Sequence, residues 1–307
     1  MTGRGLAIRV GSGLLAVWGA ITLVFLLTRL SADPAVLMSP PGATAEQIEN
    51  TRRLLGLDVS LPEQYVRFLL DAVQGDLGES YYWRQPVTEM IGSRIGATVA
   101  LAVTALGLAI VVGVPLGLVA AFHRGKPADR LLVTLSMVGQ AVPSFWLAPV
   151  LILILSVELG LLPIGGMTGP QSFVLPAVTL ASFQIAVLFR ITRAAALDVL
   201  GQDFVKLARA KGAGEFRVGL GHVAPNTLLP VMTVIGLALA NLIGGSVIVE
   251  VIFGWPGIGN LMVEAVAERD FPLVQGVALV FGVGYVTINT AVDLLYRVAD
   301  PRLRVHA

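Results

Sequence analysis

Residues 203–226, DFVKLARAKGAGEFRVGLGHVAPN, are a compact basic passage between segments of the chain that carry almost no charge. Apolar residues recur in it at three-to-four spacing until Gly212, which predicts a helix that ends in a glycine turn. A second short helix fits 215–221, and Pro225 is expected to end it before the next apolar segment. The passage therefore predicts two helices joined by a turn, lying across one face of the molecule.

The composition of the whole chain is that of an integral membrane protein. Hydrophobic residues make up 55% of the 307 residues and charged residues only 13%, with a mean hydropathy of +0.81. Such a chain is too apolar for an ordinary soluble domain. The 21 Lys and Arg are balanced by 20 Asp and Glu, so no bulk basic field indicates nucleic-acid binding. The absence of cysteine excludes disulfides and thiolate chemistry.

Six segments are long and apolar enough to cross a bilayer, which takes about 20 residues. The first resembles a signal peptide because Arg4 and Arg9 precede its apolar run, but its length favours an uncleaved span. The fourth is the shortest. The six predicted transmembrane helices are 8–31, 95–122, 131–157, 173–190, 228–252 and 271–296.

The positive charges between these spans predict the orientation of the chain. With a cytoplasmic N-terminus, 14 of the 21 Lys and Arg fall on the inside and six on the outside, and Arg29 lies at the outer end of the first span. We therefore expect both termini in the cytoplasm. The same count makes 190–227 a cytoplasmic loop and 32–94 an extracytoplasmic one.

The long outer loop is expected to hold short helices of its own. Thr44 with Gln47, and Ser60 with Glu63, match the spacing of capping boxes. GDLGES at 75–80 predicts the end of the second helix and a turn. That helix could pack on the membrane helices or bind an extracellular partner. Its predicted apolar face comprises Tyr65, Phe68, Leu69, Ala72 and Val73.

Charged residues are absent from 95–121, 131–157 and 173–189. Because charges deep in a membrane usually mark ion or proton pathways, an ion-coupled transporter is disfavoured. Neutral polar residues lie in the spans instead, where such residues either join helices or line a pathway. The spacing of Gly113 and Gly117 predicts a close approach of two helices. The candidates for a translocation pathway are Gln140, Ser144, Gln184 and Asn241.

No pattern of a catalytic, metal or nucleotide-binding site is present in the sequence. The three histidines, His123, His222 and His306, fall in loops or the tail, so they cannot form a buried triad or metal centre. KGAGEF at 211–216 lacks the GxxxxGK[ST] spacing of a phosphate-binding loop and follows no strand. We expect no catalytic residue, cofactor or metal in this chain.

Several stretches together resemble one family across essentially the whole chain. ARAKG at 208–212, HVAPN at 222–226 and LP at 229–230 are similar to the EAA loop of permease subunits of ATP-binding-cassette (ABC) importers. More narrowly, they resemble the B-type permease of the dipeptide, oligopeptide and nickel importer family. The other matching stretches are ADP at 32–34, LGLD at 55–58, GDLGES at 75–80, VPSFW at 142–146, LPA at 175–177, FGWPGIG at 253–259 and VDLLYRVADPRLR at 292–304.

The resemblance implies a single permease domain over 1–307 with six transmembrane helices in the type I importer fold. It also implies that 203–222 is a cytoplasmic coupling helix seated in a groove of a separate ATPase subunit. Ala208, Arg209 and Ala210 replace the residues that give the EAA motif its name. Gly212 therefore identifies the motif more firmly than they do. The expected ATPase-coupling residues are Ala208, Arg209, Ala210, Lys211, Gly212, Glu215, His222 and Asn226.

The resemblance further implies an assembly in a bacterial or archaeal inner membrane. The expected partners are membrane lipid, a second homologous permease, an extracytoplasmic binding protein and two ATPase cassettes that bind ATP and Mg²⁺. Short peptides are the expected solute, and nickel, a nickel chelate or glutathione are alternatives. A chain without intramembrane His or Cys is a poor direct ligand for nickel along the path. An ATP-independent carrier or channel and a membrane scaffold are the other classes of function that we consider.

Overall fold

The computed structural model describes the backbone of residues 3–31 and 33–299, and their side chains except at 3–10, 229 and 293–299. Ala32, residues 300–304 of the last motif, His306 and the predicted cytoplasmic ends at 1–2 and 300–307 lie outside it. The described chain is helical, without a strand. The helices are α1 (Gly3–Ser31), α2 (Pro34–Met38), α3 (Ala45–Leu54), α4 (Leu61–Val73), α5 (Val87–Phe122), α6 (Pro127–Ala141), α7 (Ser144–Leu151), α8 (Val174–Leu200), α9 (Asp203–Ala210), α10 (Glu215–Val218), α11 (Ala224–Ile252), α12 (Ile258–Ala267) and α13 (Phe271–Ala299).

Five described helices, α1, α5, α8, α11 and α13, are long and apolar enough to cross a membrane. The sixth predicted span, 131–157, is not one straight helix. It consists of α6 and of α7 with its π-helical continuation Ile152–Glu158, and the two parts are bent by 102°. The break falls at Pro143, which lacks a backbone N–H, and Val142 before it is extended as the proline ring requires.

Three other predicted boundaries are wrong. α5 begins at Val87 rather than at 95, and α8 runs ten residues past 190 to Leu200. Pro225 does not end a helix, because α10, the π-helical turn Gly219–Val223 and α11 follow one another without a gap. The π-helical turn Gly219–Val223 lies just before Pro225, and the backbone stays helical through the proline.

The described residues form two compact units. The first consists mainly of Ala97–Pro256, and the second of Ala7–Gly96 and Gly257–Val286. In the first unit α8 is the central helix. It contacts α6, α7 and α11. In the most apolar stretch of α8, 61% of the residues are buried inside the protein. The corresponding share is 22–33% in the other four membrane-spanning helices.

The close packing predicted at Gly113 and Gly117 is confirmed, and the helix that approaches them is α8. A Cβ added to Gly113 would lie 2.8 Å from the backbone oxygen of Ile185. One added to Gly117 would lie 2.7 Å from the oxygen of Phe189 and 2.8 Å from the Cβ of Thr192. Any larger residue would therefore meet backbone that cannot move aside without displacing α8.

The FGWPGIG stretch holds one end of this same unit together. Trp255 is fully buried, donates from its indole Nε1 to the carbonyl of Ala97 at 3.0 Å, and meets Phe173 edge to face at 4.6 Å. The carbonyl of Phe253 accepts a hydrogen bond from Gly166 at 2.7 Å. Gly165 passes so close to that carbonyl that a side chain would collide with it. The segment 158–172 is thus fastened to the end of α11.

In the second unit, the GDLGES turn is bound to the start of α13. The hydroxyl of Ser80 and the backbone N–H of Tyr82 both donate to Asp270, which is fully buried and also accepts from the N–H of Leu273. Gly75 has φ +84° and ends α4, as predicted. The GDLGES stretch, which the sequence predicted only as a turn, therefore also supplies hydrogen-bond donors to a buried carboxylate.

The short helices within 32–94 agree in part with the prediction. The capping box of Thr44 and Gln47 is confirmed in both directions. The one at Ser60 is wrong, because its side chain makes no cap hydrogen bond and Glu63 pairs with Arg67 instead. α4 packs on α1 through Tyr65 and Phe68, whose rings lie 5.1 and 6.0 Å from that of Phe25. Val73 is 87% exposed and does not belong to the packed face.

Gly117→Val is expected to destabilise the chain by about 1–3 kcal/mol, the usual cost of forcing extra atoms into a packed helix contact. The expected result is a lower melting temperature of the detergent-purified chain. Gly107→Val is the matched control, because it changes the same helix where a Cβ meets nothing within 4 Å. Equal melting temperatures of the two variants would contradict the assigned contact.

Candidate functional site

The 203–226 loop, which joins α8 to α11, turns at Gly212. Gly212 has φ +82°, the left-handed region that glycine adopts without strain. Its N–H donates to the carbonyl of Arg209 at 2.9 Å, and the N–H of Ala213 donates to that of Ala208 at 3.1 Å. These two bonds form the Schellman motif that ends a helix. The glycine turn predicted at this position is confirmed.

An ion pair ties the two helices of the loop together across this turn. The guanidinium of Arg209 donates to both carboxylate oxygens of Glu215, each at 2.9 Å. This hydrogen bonding lowers the pKa of Glu215. The pair is largely exposed, so it contributes at most about 0.2–1 kcal/mol. Two residues expected to contact an ATPase are thus already bonded to each other.

The underside of the loop is an apolar anchor. Val205 of α9, Val218 of α10 and Val223 are fully buried, and they pack with Ala121 at the end of α5 and Ala196 of α8. Burying a valine side chain is worth roughly 1.5–3 kcal/mol. The loop is therefore held in place by its core rather than by its charges.

The opposite side of the loop is apolar and exposed. The exposed fractions are 44% for Phe204, 56% for Leu207, 80% for Phe216 and 59% for Leu220. Large apolar side chains that are exposed close together in a protein often mark a contact surface. These four residues were not among the predicted coupling residues, most of which are polar or small. Their positions relative to the buried valines identify them as an exposed face only after the structure shows which face of the loop is buried.

The predicted coupling residues all lie on this loop. Asn226 donates from Nδ2 to the carbonyl of His222 at 2.7 Å, which fixes the amide on the preceding turn. Ala208 and His222 are half-buried. The exposed members of the set are Arg209, Ala210, Lys211, Gly212, Glu215 and Asn226.

A buried ion pair next to this loop was not predicted. Arg193 of α8 donates to both oxygens of Asp129 at the start of α6, at 2.7 and 2.9 Å, and Asp129 also accepts from the N–H of Gly125 at 2.9 Å. The side chain of Asp129 is only 5% exposed. The charge count had treated Arg193 as a loop residue. No sequence spacing links two residues 64 positions apart, so only the tertiary structure reveals this pair.

The four candidate pathway residues differ in exposure. Gln184 of α8 is 7% exposed, Gln140 and Ser144 are half-buried, and Asn241 of α11 is exposed. Gly139, next to Gln140, lies against α8, with the carbonyl of Ser182 at 3.6 Å from an added Cβ. None of the four side chains hydrogen-bonds to another residue within the described ranges. They can therefore bind water or a solute.

One intramembrane carboxylate was also missed. Glu250, near the end of α11, is fully buried and accepts a hydrogen bond from Ser246 at 3.0 Å. It falls within the predicted span 228–252 but was not among the candidate pathway residues. Among the described residues, no group of three or more His, Cys, Asp or Glu side chains could hold a metal ion.

These features define an all-α, multi-pass membrane protein with a structured loop that offers an exposed apolar surface. A family model for the binding-protein-dependent transport system inner membrane component matches residues 113–305, and one for the N-terminal part of such components matches 6–102. The chain therefore belongs to this family of transport-system membrane components. It is 42% identical over 283 residues, 92% of either chain, to the glutathione transport system permease protein GsiC of Escherichia coli strain K12 and of Shigella dysenteriae serotype 1.

Solved structures show the same fold. The inward-facing MetNI methionine ABC transporter matches with a TM-score of 0.55 at 19% identity, over 69% of this chain and 96% of the other. An amino acid ABC transporter crystallised with histidines matches with a TM-score of 0.52 at 21% identity, over 68% and 94%. The fold is that of type I ABC importer permeases, as predicted, and the chain is the permease of an ABC importer. Such permeases are non-enzymatic and work in general with ATPase subunits, a binding protein and a second permease.

Gly212→Val is expected to lower ATP-driven uptake several-fold, because a β-branched residue is strained by about 1–3 kcal/mol at a positive φ. Uptake and membrane abundance would be measured together. Gly214→Val is the matched control, since Gly214 has φ −66° and open space around it. Gly212→Asn should retain more activity, because asparagine tolerates the left-handed region. Normal uptake with Gly212→Val would contradict a requirement for this turn.

Proposed function

We propose that this chain is the membrane-spanning subunit through which short peptides, glutathione among them, enter the cytoplasm. The observation that carries the proposal is the 42% identity over 92% of its length to permeases named for glutathione transport. Glutathione is a tripeptide, so a path that accepts it must accept peptide carbonyl and amide groups. Nickel as a free ion fits less well, because the described residues offer no cluster of metal ligands.

The 203–226 loop is the proposed contact with the ATPase. Its buried side is rigid, since Val205 and Val218 are fully enclosed, while Phe216 projects with 80% of its surface exposed. Aromatic side chains of this kind often carry much of the binding energy of an interface. Arg209, Lys211 and Glu215 would form the polar rim around that apolar contact.

The same proposal gives the chain both termini in the cytoplasm and a single permease domain over 1–307. The charge bias of the loops supports this orientation. ATP and Mg²⁺ would be held by two partner cassettes, and their closure would pull on the 203–226 loop. Because that loop is packed on α5 and α8, a pull on it would move these helices as a rigid group. A second, homologous permease would complete the path.

Gln140, Ser144, Gln184 and Asn241 are the proposed pathway residues. Neutral amides and hydroxyls exchange hydrogen bonds with a peptide backbone at a net gain of about 0.5–1.5 kcal/mol each. They can therefore accompany a peptide without trapping it, as buried charges would. The lack of partners for these four side chains within the described residues supports this role.

A cysteine introduced at Phe216 is expected to crosslink to the ATPase in intact membranes, because this position is the most exposed of the apolar surface. The natural chain has no cysteine, so the label is unique. Leu161→Cys is the control, since Leu161 is 64% exposed and falls in a loop that the charge bias places outside. Capture of the ATPase from position 161 and not from 216 would overturn both the docking surface and the orientation.

Gln184→Leu is expected to lower the uptake of labelled glutathione or a dipeptide by roughly 2- to 10-fold, the equivalent of one hydrogen bond. ATPase capture by a cysteine at 216 should persist in this variant. Ser182→Ala is the control on the same helix, because the Ser182 hydroxyl is already bonded to the carbonyl of Thr179. Uptake of nickel ion alone by the complete assembly would refute the peptide assignment.

A further inference from the structure

A cavity of about 280 Å³ lies in the second unit, beside the last turn of α1. α1, α4, the GDLGES turn and the start of α13 form its walls. Phe25, Phe68, Phe271 and Pro272 make much of the lining apolar. None of the transport roles discussed above uses this cavity.

Arg29 presents an incompletely satisfied cation to the cavity. Its guanidinium lies over the ring of Phe25, with 5.5 Å from Cζ to the ring centre. Its Nε is buried and has no hydrogen-bond partner among the described groups. A buried donor without a partner costs free energy that a bound anion would recover through a charge-assisted bond.

Tyr81 supplies a second donor next to Arg29. Burial raises the pKa of the Tyr81 hydroxyl, with Arg29 acting against this effect and Asp270 adding to it. The hydroxyl therefore stays protonated at neutral pH and can donate a hydrogen bond. Arg29 and Tyr81 together suit an anionic oxygen group such as a phosphate.

The same cavity also contains oxygen atoms that can accept hydrogen bonds from a cation. Gln64 donates from Nε2 to the carbonyls of Leu57 and Val59, at 3.2 and 2.9 Å, while its Oε1 is buried without a partner in the described structure. Asp71 and Asp76 add two exposed carboxylates to the lining. Arg67, the other cation there, is paired with Glu63. These oxygens suit an ammonium group.

The position of the cavity indicates where such a ligand comes from. Arg29 is in the last turn of a membrane-spanning helix, and neighbouring side chains on α1 face outward. Leu26 is 45% exposed, Leu27 53% and Leu30 81%. Acyl chains could lie along these leucines while a headgroup enters the cavity.

We propose that this cavity binds the phosphoethanolamine headgroup of a membrane phospholipid. The phosphate pairs with Arg29 and Tyr81, and the ammonium pairs with Gln64 Oε1 and the carboxylates of Asp71 and Asp76. A glycerol headgroup would leave these carboxylates facing a phosphate without a cation between them. A choline headgroup keeps the positive charge but cannot donate hydrogen bonds to the glutamine oxygen.

Native mass spectrometry of the delipidated full chain, titrated with phosphatidylethanolamine, phosphatidylglycerol and phosphatidylcholine of identical acyl chains, tests the proposal. We expect at least one tight phosphatidylethanolamine adduct, retained about tenfold better than the other two lipids, as one well-formed charge-assisted bond would give. Equal retention of the three lipids would overturn the proposal.

Variants locate the adduct. Arg29→Gln and Tyr81→Phe are expected to lower the retention of all three lipids, because each removes a phosphate contact, and Asp71→Asn to reduce the preference for phosphatidylethanolamine while leaving phosphate binding. Arg53→Gln is the matched control, because Arg53 is 67% exposed on α3 and does not line the cavity. If Arg29→Gln impairs folding, Tyr81→Phe decides, since it removes only one hydroxyl. An effect of Arg53→Gln as large as that of Tyr81→Phe would refute the site.

A soluble probe separates the lipid from a free ligand. O-phosphoethanolamine carries the same charged groups without acyl chains. We expect it to displace the lipid only at a concentration far above that of the lipid, because it lacks the contact with the leucines of α1. Binding of O-phosphoethanolamine as tight as that of the lipid would assign the cavity to a soluble phosphate ester and overturn the lipid assignment.

Discussion

The contact between α5 and α8 is the constraint on which the rest of the first unit depends. At Gly113 and Gly117 the two backbones are so close that there is no room for a side chain between them. One turn further along each helix, Ala121 and Ala196 meet and provide the floor on which Val205 and Val218 are buried. The surface that carries Phe216 is thus positioned by two glycines about a hundred residues earlier in the chain. Small residues serve this purpose well in a membrane, where packing rather than hydrophobic burial brings helices together.

The buried charged side chains of this chain mainly hold the ends of helices together. Asp129 and Arg193 join α6 to α8 at one end of the first unit. In the second unit Asp270 gathers the GDLGES turn and begins α13. Both carboxylates are buried and both are hydrogen-bonded more than once, the condition under which buried charges persist. Between these ends, at 131–157 and 173–189, the polar side chains of α6, α7 and α8 are neutral, and Glu250 of α11 is a buried carboxylate within a span.

Much of the fold could be predicted because bilayer crossing leaves a strong signal in a sequence. Five of the six spans, the capping box at Thr44, the end of α4 at Gly75 and the left-handed turn at Gly212 follow from local rules of hydropathy, capping and glycine conformation. Two of the wrong predictions concern prolines, which can either break a helix or lie within one. Pro143 breaks a span, whereas Pro225 lies within the start of α11. A proline pattern does not distinguish these outcomes, because they depend on which neighbouring groups satisfy the freed carbonyls.

By itself the sequence determined that this chain is a membrane protein, that it has six apolar segments and that a glycine turn interrupts its basic loop. These properties are set by composition and by residues near one another in the chain. Only the tertiary structure decided which face of that loop is buried, that Arg209 and Glu215 bind each other, that Arg193 reaches Asp129, and that Arg29, Gln64 and Tyr81 line one cavity. Each of these is a pairing between side chains that the fold, and not their spacing, brings together.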